Sequence, residues 1–264
     1  MPSALSNRRR KAIARLNRRK HRRREGQTLL ESRRALASAL DAGAPLVDVV
    51  VDAARQTDPA LRALLDRVTV PVYTTDAATL DQLTDVDAPQ GLVAVVETPM
   101  LDADALPDAL PETATVLLLD GVQDPGNVGT LLRTAAWFGV DAVVAGPGTA
   151  GLYGPKVMRA AMGGHWDLTC ARADALGPLL DRLRRAGYRL YGADLHGVRA
   201  ADWHPNRPSG LVLGSEAHGL SAPVLSRIDT PVALPGAPDR RGAESLNVAV
   251  AGGILVYEWT GAGR

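Results

Sequence analysis

Three short segments hold residue types that could do chemistry. The first is Asp120-Gly121-Val122-Gln123-Asp124-Pro125-Gly126-Asn127-Val128-Gly129, leading into Thr130-Leu131-Leu132-Arg133. It combines a tight Asp-Pro-Gly turn, Asn127 as a good N-cap, and Arg133 about two turns into the helix that follows. A helix N-terminus offers unbonded N–H groups to an anion. Six positions separate Asn127 from Arg133, roughly 600° of helical rotation. They converge only if Asn127 sits in the loop and Arg133 leans back toward the N-terminus. A simple cap and a surface cation fit the spacing as well. Neither Gly-Lys-Ser/Thr nor Gly-x-Gly-x-x-Gly is present, so a Walker phosphate loop and a dinucleotide fingerprint are excluded.

The second segment, Leu211-Val212-Leu213-Gly214-Ser215-Glu216-Ala217-His218-Gly219-Leu220, is an apolar strand that delivers Gly214 and then Glu216 at its C-terminal end. Gly214 permits close backbone approach of a ligand. A plain turn with a solvated glutamate is the alternative. His218 has no metal-ligand partner nearby. The third is Val232-Ala233-Leu234-Pro235-Gly236, a polar loop over Ala237 to Glu244, then Ser245-Leu246-Asn247 and an apolar helix with adjacent Gly252 and Gly253. Ser245 is a good N-cap and Asn247 falls in the first turn. Two glycines in a helix cost about 1 kcal/mol each, so close packing there must return something, against the sheet or a second copy.

The elements that must position these segments alternate. Strands are expected at Val116–Leu119, Ala142–Ala145, Tyr188–Ala193, Leu211–Leu213 and Pro231–Leu234. Helices are expected at Val128–Phe138, Lys156–Met162, Ala175–Ala186 and Leu246–Trp259. Alternation of this kind implies a parallel sheet covered by helices, with ligands beyond the carboxyl ends of the strands. Upstream lies a smaller α/β unit: a helix from Leu29 to Leu40 stopped at Gly43, a strand Leu46–Val51, a helix Pro59–Val68, a strand Val70–Tyr73, a helix capped by Asp76, and a strand Leu92–Val96. Pro99, Pro107 and Pro111 mark a linker. The expected organisation is a basic arm (1–27), an N-terminal α/β domain (28–97), a linker (98–113) and a C-terminal domain (114–264).

Charge is unevenly spread over the 264 residues. Residues 1–34 hold 13 Lys/Arg against two acids, and the rest holds 17 against 27. Arg8 to Arg24 contains 11 Lys/Arg in 17 residues and no acid: Arg8, Arg9, Arg10, Lys11, Arg15, Arg18, Arg19, Lys20, Arg22, Arg23 and Arg24. The apolar stripe between them (Ala12, Ile13, Leu16) is too thin for a membrane helix, so nucleic-acid phosphates are the expected partner, and a solvated tail the alternative. No apolar run reaches membrane-spanning length and no secretory h-region follows the basic opening. The single cysteine, Cys170, excludes an intramolecular disulfide framework and a Cys-rich zinc site. A cytoplasmic protein with no metal is the expectation.

Taken together and in this order, Asn127-x-Gly129-x-x-x-Arg133, Gly214-x-Glu216-x-x-Gly219-Leu220, and Pro235 followed by Ser245-Leu246-Asn247 resemble the SpoU/TrmH family of RNA 2′-O-ribose methyltransferases. The resemblance covers residues 115–260, and more loosely the N-terminal domain through its basic opening and Pro89-Gln90-Gly91-Leu92. It implies a trefoil-knotted α/β domain, an RNA-binding role for the N-terminal domain (28–97), S-adenosylmethionine as cofactor, a homodimer and an RNA substrate, ribosomal RNA ahead of transfer RNA. Gly214, Leu234 and Leu246 would line the cofactor. Asn127, Arg133, Glu216, Ser245 and Asn247 would form the catalytic constellation. The loop from Gly236 to Glu244, with Asp239-Arg240-Arg241, is longer than the family usually shows, and Met162-Gly163-Gly164-His165 takes no role by resemblance. A guanidinium is always protonated, so Arg133 is expected to stabilise charge and position the target, with Asn127 and Glu216 orienting it. A non-catalytic RNA-binding or ribosome-assembly protein is the rival from another class. A nucleotide hydrolase is disfavoured by the missing phosphate-loop lysine.

Overall fold

The computed structural model describes residues 2–84, 90–237, 242 and 244–261. Pro89 and the loop residues Asp239, Arg240 and Arg241 lie outside the described residues. In chain order, the first stretch holds β1 (Ser3–Ala4), α1 (Asn7–Arg15), α2 (Arg19–Glu25), β2 (Gln27–Leu30), α3 (Arg33–Asp41), β3 (Leu46–Asp52), α4 (Pro59–Leu65), β4 (Val72–Thr75), α5 (Ala77–Asp81) and β5 (Leu92–Glu97). There follow β6 (Leu101–Asp102), α6 (Leu106–Ala109), β7 (Thr115–Asp120), α7 (Pro125–Trp137), β8 (Ala142–Ala145), α8 (Pro155–Ala161) and β9 (Thr169–Arg172). The remainder is α9 (Leu176–Arg185), β10 (Arg189–Arg199), β11 (Ser209–Gly214), α10 (Ala222–Leu225), β12 (Thr230–Ala233) and α11 (Val248–Thr260). Two compact units form. One takes the chain up to Pro99 plus Tyr153–Trp166; the other takes Met100–Leu152 and the chain from Asp167 onward.

The first unit is a mixed five-stranded sheet in the order β1-β4-β3-β5-β2. Its core packs Ile13, Leu16, Leu29, Val50, Leu80, Leu83, Val93 and Val95. The stretch expected as an arm is therefore folded. Ile13 and Leu16 are fully buried, β1 pairs with β4, and Arg9 Nε donates to the buried Asp48 carboxylate at 2.5 Å. Two apolar side chains suffice because they meet a sheet rather than a lipid surface. Leu29 and Leu30, expected as helix, lie in β2, paired antiparallel with Val95 and Ala94. The helix starts later because Ser32 Oγ accepts from Ala35 N (3.1 Å) and caps it.

The second unit is a seven-stranded sheet in the order β12-β10-β11-β7-β8-β9-β6, parallel in every pairing. The central strands β7 and β11 are buried along their whole length, as strands covered on both faces must be, and so they read as apolar runs. Residues expected as linker are part of this unit. Leu101 and Asp102 extend the sheet beside β9, and Ala103 and Leu106 are buried in its core. Strand β9 (Thr-Cys-Ala-Arg) has no apolar run and was not expected. Gly252 is the glycine that the packing demands: a Cβ there would strike Leu131 Cδ2 and come within 2.6 Å of Leu213 Cδ1. Gly253 faces open space by comparison, with Thr134 Cγ2 at 3.9 Å.

Candidate active site

Strands β7 and β11 are neighbours in register, Leu119 opposite Leu213 and Asp120 opposite Gly214. Their following loops therefore leave the sheet side by side at its carboxyl end, where an open α/β sheet binds ligands. After β11 the chain doubles back: Ser215 and Gly219 exchange backbone hydrogen bonds at 3.0 and 2.9 Å, with Gly219 at φ +65°. A Cβ on Gly214 would collide with the carbonyl of Gly219 and the nitrogen of Leu220. The close approach expected of a ligand at Gly214 is made by its own loop. That tight loop holds Glu216 at its tip.

After β7, the loop from Gly121 is fixed from two sides. Gly121 N donates to Thr149 Oγ1 (3.1 Å), and Thr149 Oγ1 donates to the Leu119 carbonyl (2.8 Å). Asp124, not Asn127, caps α7, its Oδ1 accepting from Asn127 N at 2.9 Å. Asn127 is thus inside the first turn, and its side chain is released for another contact. Asn127 Nδ2 donates to Glu216 Oε1 (2.9 Å), and Gln123 N and Asp124 N donate to the same carboxylate at 3.2 and 3.4 Å. On its other side Asn127 Oδ1 accepts from Asn247 Nδ2 (3.0 Å). Asn247, not Ser245, caps the final helix, with Oδ1 accepting from Ala249 N and Val250 N at 2.9 and 3.3 Å.

The polarity of this relay is dictated from both ends. A carboxylate only accepts, so Asn127 must turn its NH2 toward Glu216. A helix N-terminus only donates, so Asn247 must turn its oxygen toward α11. The two amides then meet donor to acceptor. Burial resists ionisation of Glu216, but the bonds from Asn127 and from the backbone of Gln123 and Asp124 outweigh it and hold its carboxyl below the usual range. Asp120, which spacing did not single out, adds a second tie: its Oδ2 accepts from Ser221 N at 2.7 Å, at the far end of the Glu216 loop.

Beside the relay a cleft of about 730 Å³ opens, lined by Gly214, Glu216, Leu234, Ser245, Leu246 and Asn247. That volume suits a small organic cofactor. The floor and walls are mixed: backbone of Gly214, apolar Leu234, and Leu246 half exposed at 51%. Arg133 is elsewhere. It is exposed on α7, one turn before Trp137 on the same face, and among the described residues its side chain makes no hydrogen bond or ion pair. Asn127 and Glu216 hold each other and do not orient it. In the basic stretch, Arg8, Lys11, Arg18, Arg19, Lys20, Arg23 and Arg24 are exposed, whereas Arg9, Arg10 and Arg22 are half-buried.

Comparison with known proteins agrees with this architecture. The SpoU rRNA Methylase family profile matches residues 114–257, and an MRM3-like substrate binding domain profile matches residues 7–94. The chain is 38% identical over 180 residues to the 23S rRNA (guanosine(2553)-2′-O)-methyltransferase RlmP of Bacillus subtilis (strain 168), covering 68% of each protein. It is 31% identical over 250 residues to the 23S rRNA (uridine(2479)-2′-O)-methyltransferase of Streptomyces viridochromogenes, covering 92% of this chain and 85% of that one. Among solved structures, the SpoU methyltransferase AviRb of Streptomyces viridochromogenes in complex with AdoMet matches with a TM-score of 0.85 at 30% identity, over 97% of this chain and 98% of that one. The chain belongs to the SpoU rRNA methylase family.

Proposed function

We propose that this protein methylates a ribose 2′-hydroxyl of ribosomal RNA, with S-adenosylmethionine as donor. The observation that carries the reading is the Glu216–Asn127–Asn247 relay beside a cleft of cofactor size, at the carboxyl ends of two adjacent parallel strands. The cleft fits the donor set: Gly214, Leu234 and Leu246 would hold the cofactor, which supplies an activated methyl group on a sulfonium. Ser245, exposed at the rim, would take the ribose. The relay fixes Asn127 and Asn247 and keeps a carboxylate charged beside the site, so the nucleotide meets preorganised polar groups. Arg133 would bind the target phosphate or the developing alkoxide, where a permanent planar cation is useful.

The outward position of Arg133 favours a homodimer. Val250, Ile254 and Tyr257 expose an apolar stripe on α11, Trp137 is 81% exposed on α7, and Phe138 packs edge-on against Tyr257 at 5.6 Å between ring centres. A second copy seated on this face would bring Arg133 to the interface and to a site built from two chains. The trefoil knot of the C-terminal unit and a cytoplasmic location belong to the same reading. Both draw on membership of the SpoU rRNA methylase family. The basic helices and the remainder of residues 7–94 would engage the RNA.

The direct test is calorimetry with S-adenosylmethionine, followed by transfer of a labelled methyl group to ribosomal and to transfer RNA. Mapping 2′-O-methyl positions with and without the protein then names the nucleotide. Binding with no transfer to either RNA would overturn the reading. Mixing Arg133→Ala with Glu216→Gln protein tests the shared site: activity should reappear in the mixture, and its failure to do so would leave Arg133 acting within its own chain or not at all.

A further inference from the structure

The basic stretch at the N-terminus divides into two sets. Arg9 is held by Asp48, and Arg22 Nη1 donates to the carbonyls of Leu16 and Asn17 at 2.7 and 2.8 Å, tying α2 to the end of α1. Arg10 reaches Gln82 (3.4 Å) and Arg24 pairs with Glu25 (2.6 Å). Arg8, Lys11 and Arg15 differ. All three are exposed, and among the described residues no hydrogen bond or ion pair holds their side chains. Their spacing of three and four places them on one face of α1, opposite the face that carries Arg9, Ile13 and Leu16.

This arrangement is unfavourable for the helix itself. Like charges at these spacings repel by about 0.2–0.5 kcal/mol per pair, and Arg8 in the first turn opposes the helix dipole. No acid occurs in α1 to offset them. A local conflict of this type marks a surface kept for a partner. The stripe extends about 10 Å along the axis, at 1.5 Å per residue, and exposed Arg18 and Arg19 continue from its end. Its apolar neighbours Ile13 and Leu16 are buried, so nothing on this face could enter a lipid interface.

We infer that Arg8, Lys11 and Arg15 form a dedicated contact for the RNA sugar–phosphate backbone, and that Arg9 and Arg22 serve the fold instead. The inference rests on the RNA reading above and assigns it to one helix face, including Arg15. The test compares the full chain carrying R8Q/K11Q/R15Q with R34Q/R62Q/K156Q, which removes the same charge from exposed positions elsewhere in the first unit. Fluorescence anisotropy with a labelled oligouridine and a labelled RNA hairpin is measured across a potassium chloride series. Three lost phosphate contacts should reduce the slope of log K against log salt by about 2 to 3. The second variant should keep the wild-type slope, both should keep S-adenosylmethionine binding, and the first should melt no lower than wild type, since like-charge repulsion along α1 is removed. An unchanged slope in the first variant, or an equal loss in the second, overturns the inference. So does preferential binding to phosphatidylglycerol vesicles that the first variant abolishes. Wild-type methyl transfer with an unchanged slope would sink this inference alone; slope loss without any methyl transfer by wild type would sink the catalytic reading alone.

Discussion

Glu216 and Asn127 are 89 positions apart in sequence and 2.9 Å apart in the fold, so a double-mutant cycle measures whether the relay acts as a unit. In Glu216→Gln, an amide NH2 replaces one carboxylate oxygen. Whichever way it turns, it faces a donor: Gln123 N on one side, or Asn127 Nδ2 and Asp124 N on the other. Hydrogen bonds to charged groups contribute about 1.5–3 kcal/mol, and solvent at this exposed glutamate places the value at the low end. About 1.5 kcal/mol corresponds to roughly tenfold. Each single variant, Glu216→Gln and Asn127→Ala, should lose at least tenfold in initial rate of methyl transfer to RNA. The double variant should be about tenfold more active than the product of the two losses. Calorimetry with S-adenosylmethionine runs alongside, so that lost cofactor binding is separated from lost turnover. If the two losses multiply to within about twofold, as independent sites do, the relay is not a functional unit and the reasoning fails.

Three further outcomes are expected. The depressed carboxyl of Glu216 means that its bonds contribute fully at neutral pH and are lost as pH falls through its folded-state value, below the ordinary glutamate value of about 4.3. The melting-temperature gap between wild type and Glu216→Gln should therefore be constant near neutrality and close in acid; a gap independent of pH would contradict the assigned bonding. Gly252→Ala should destabilise by about 1–3 kcal/mol through its clash with Leu131 and Leu213, while Gly253→Ala should be neutral or stabilising by up to about 1 kcal/mol. Chemical denaturation ranks the two, and the reverse order would refute the packing argument. Asp120→Ala should leave Ser221 N without its acceptor and lower turnover more than melting temperature, with Asp120→Asn restoring much of the rate; equal rates for both variants would remove Asp120 from positioning.

The C-terminal sheet was legible because its central strands are buried on both faces, so Val116–Leu119 and Leu211–Leu213 stand out as apolar runs. The two cap assignments were not. Asp124 and Asn127 are both good N-caps, as are Ser245 and Asn247, and local sequence does not choose between them. The choice matters, since capping by Asp124 is what releases the Asn127 side chain toward Glu216. Leu29 and Leu30 fit a helical period but pair with β5, a partner more than sixty residues downstream. The folded state of the basic stretch was hidden for a related reason: Ile13 and Leu16 are few, and their worth depends on a sheet assembled from residues far along the chain. For the site, residue types and order were readable, while the separation of Arg133 from Asn127 and the tie through Asp120 required coordinates.

The return of Tyr153–Trp166 to the first unit has a consequence for how the chain matures. Glu31 is almost wholly enclosed, its side chain 1% exposed, and its counter-ion is Arg159 at 2.6 Å, on α8. Thr28 likewise donates to the Tyr153 carbonyl at 2.8 Å. An enclosed carboxylate deprived of its cation is strongly unfavourable. During synthesis the leading hundred residues must therefore wait, with that carboxylate still hydrated, until the ribosome has delivered a helix encoded some sixty codons further on.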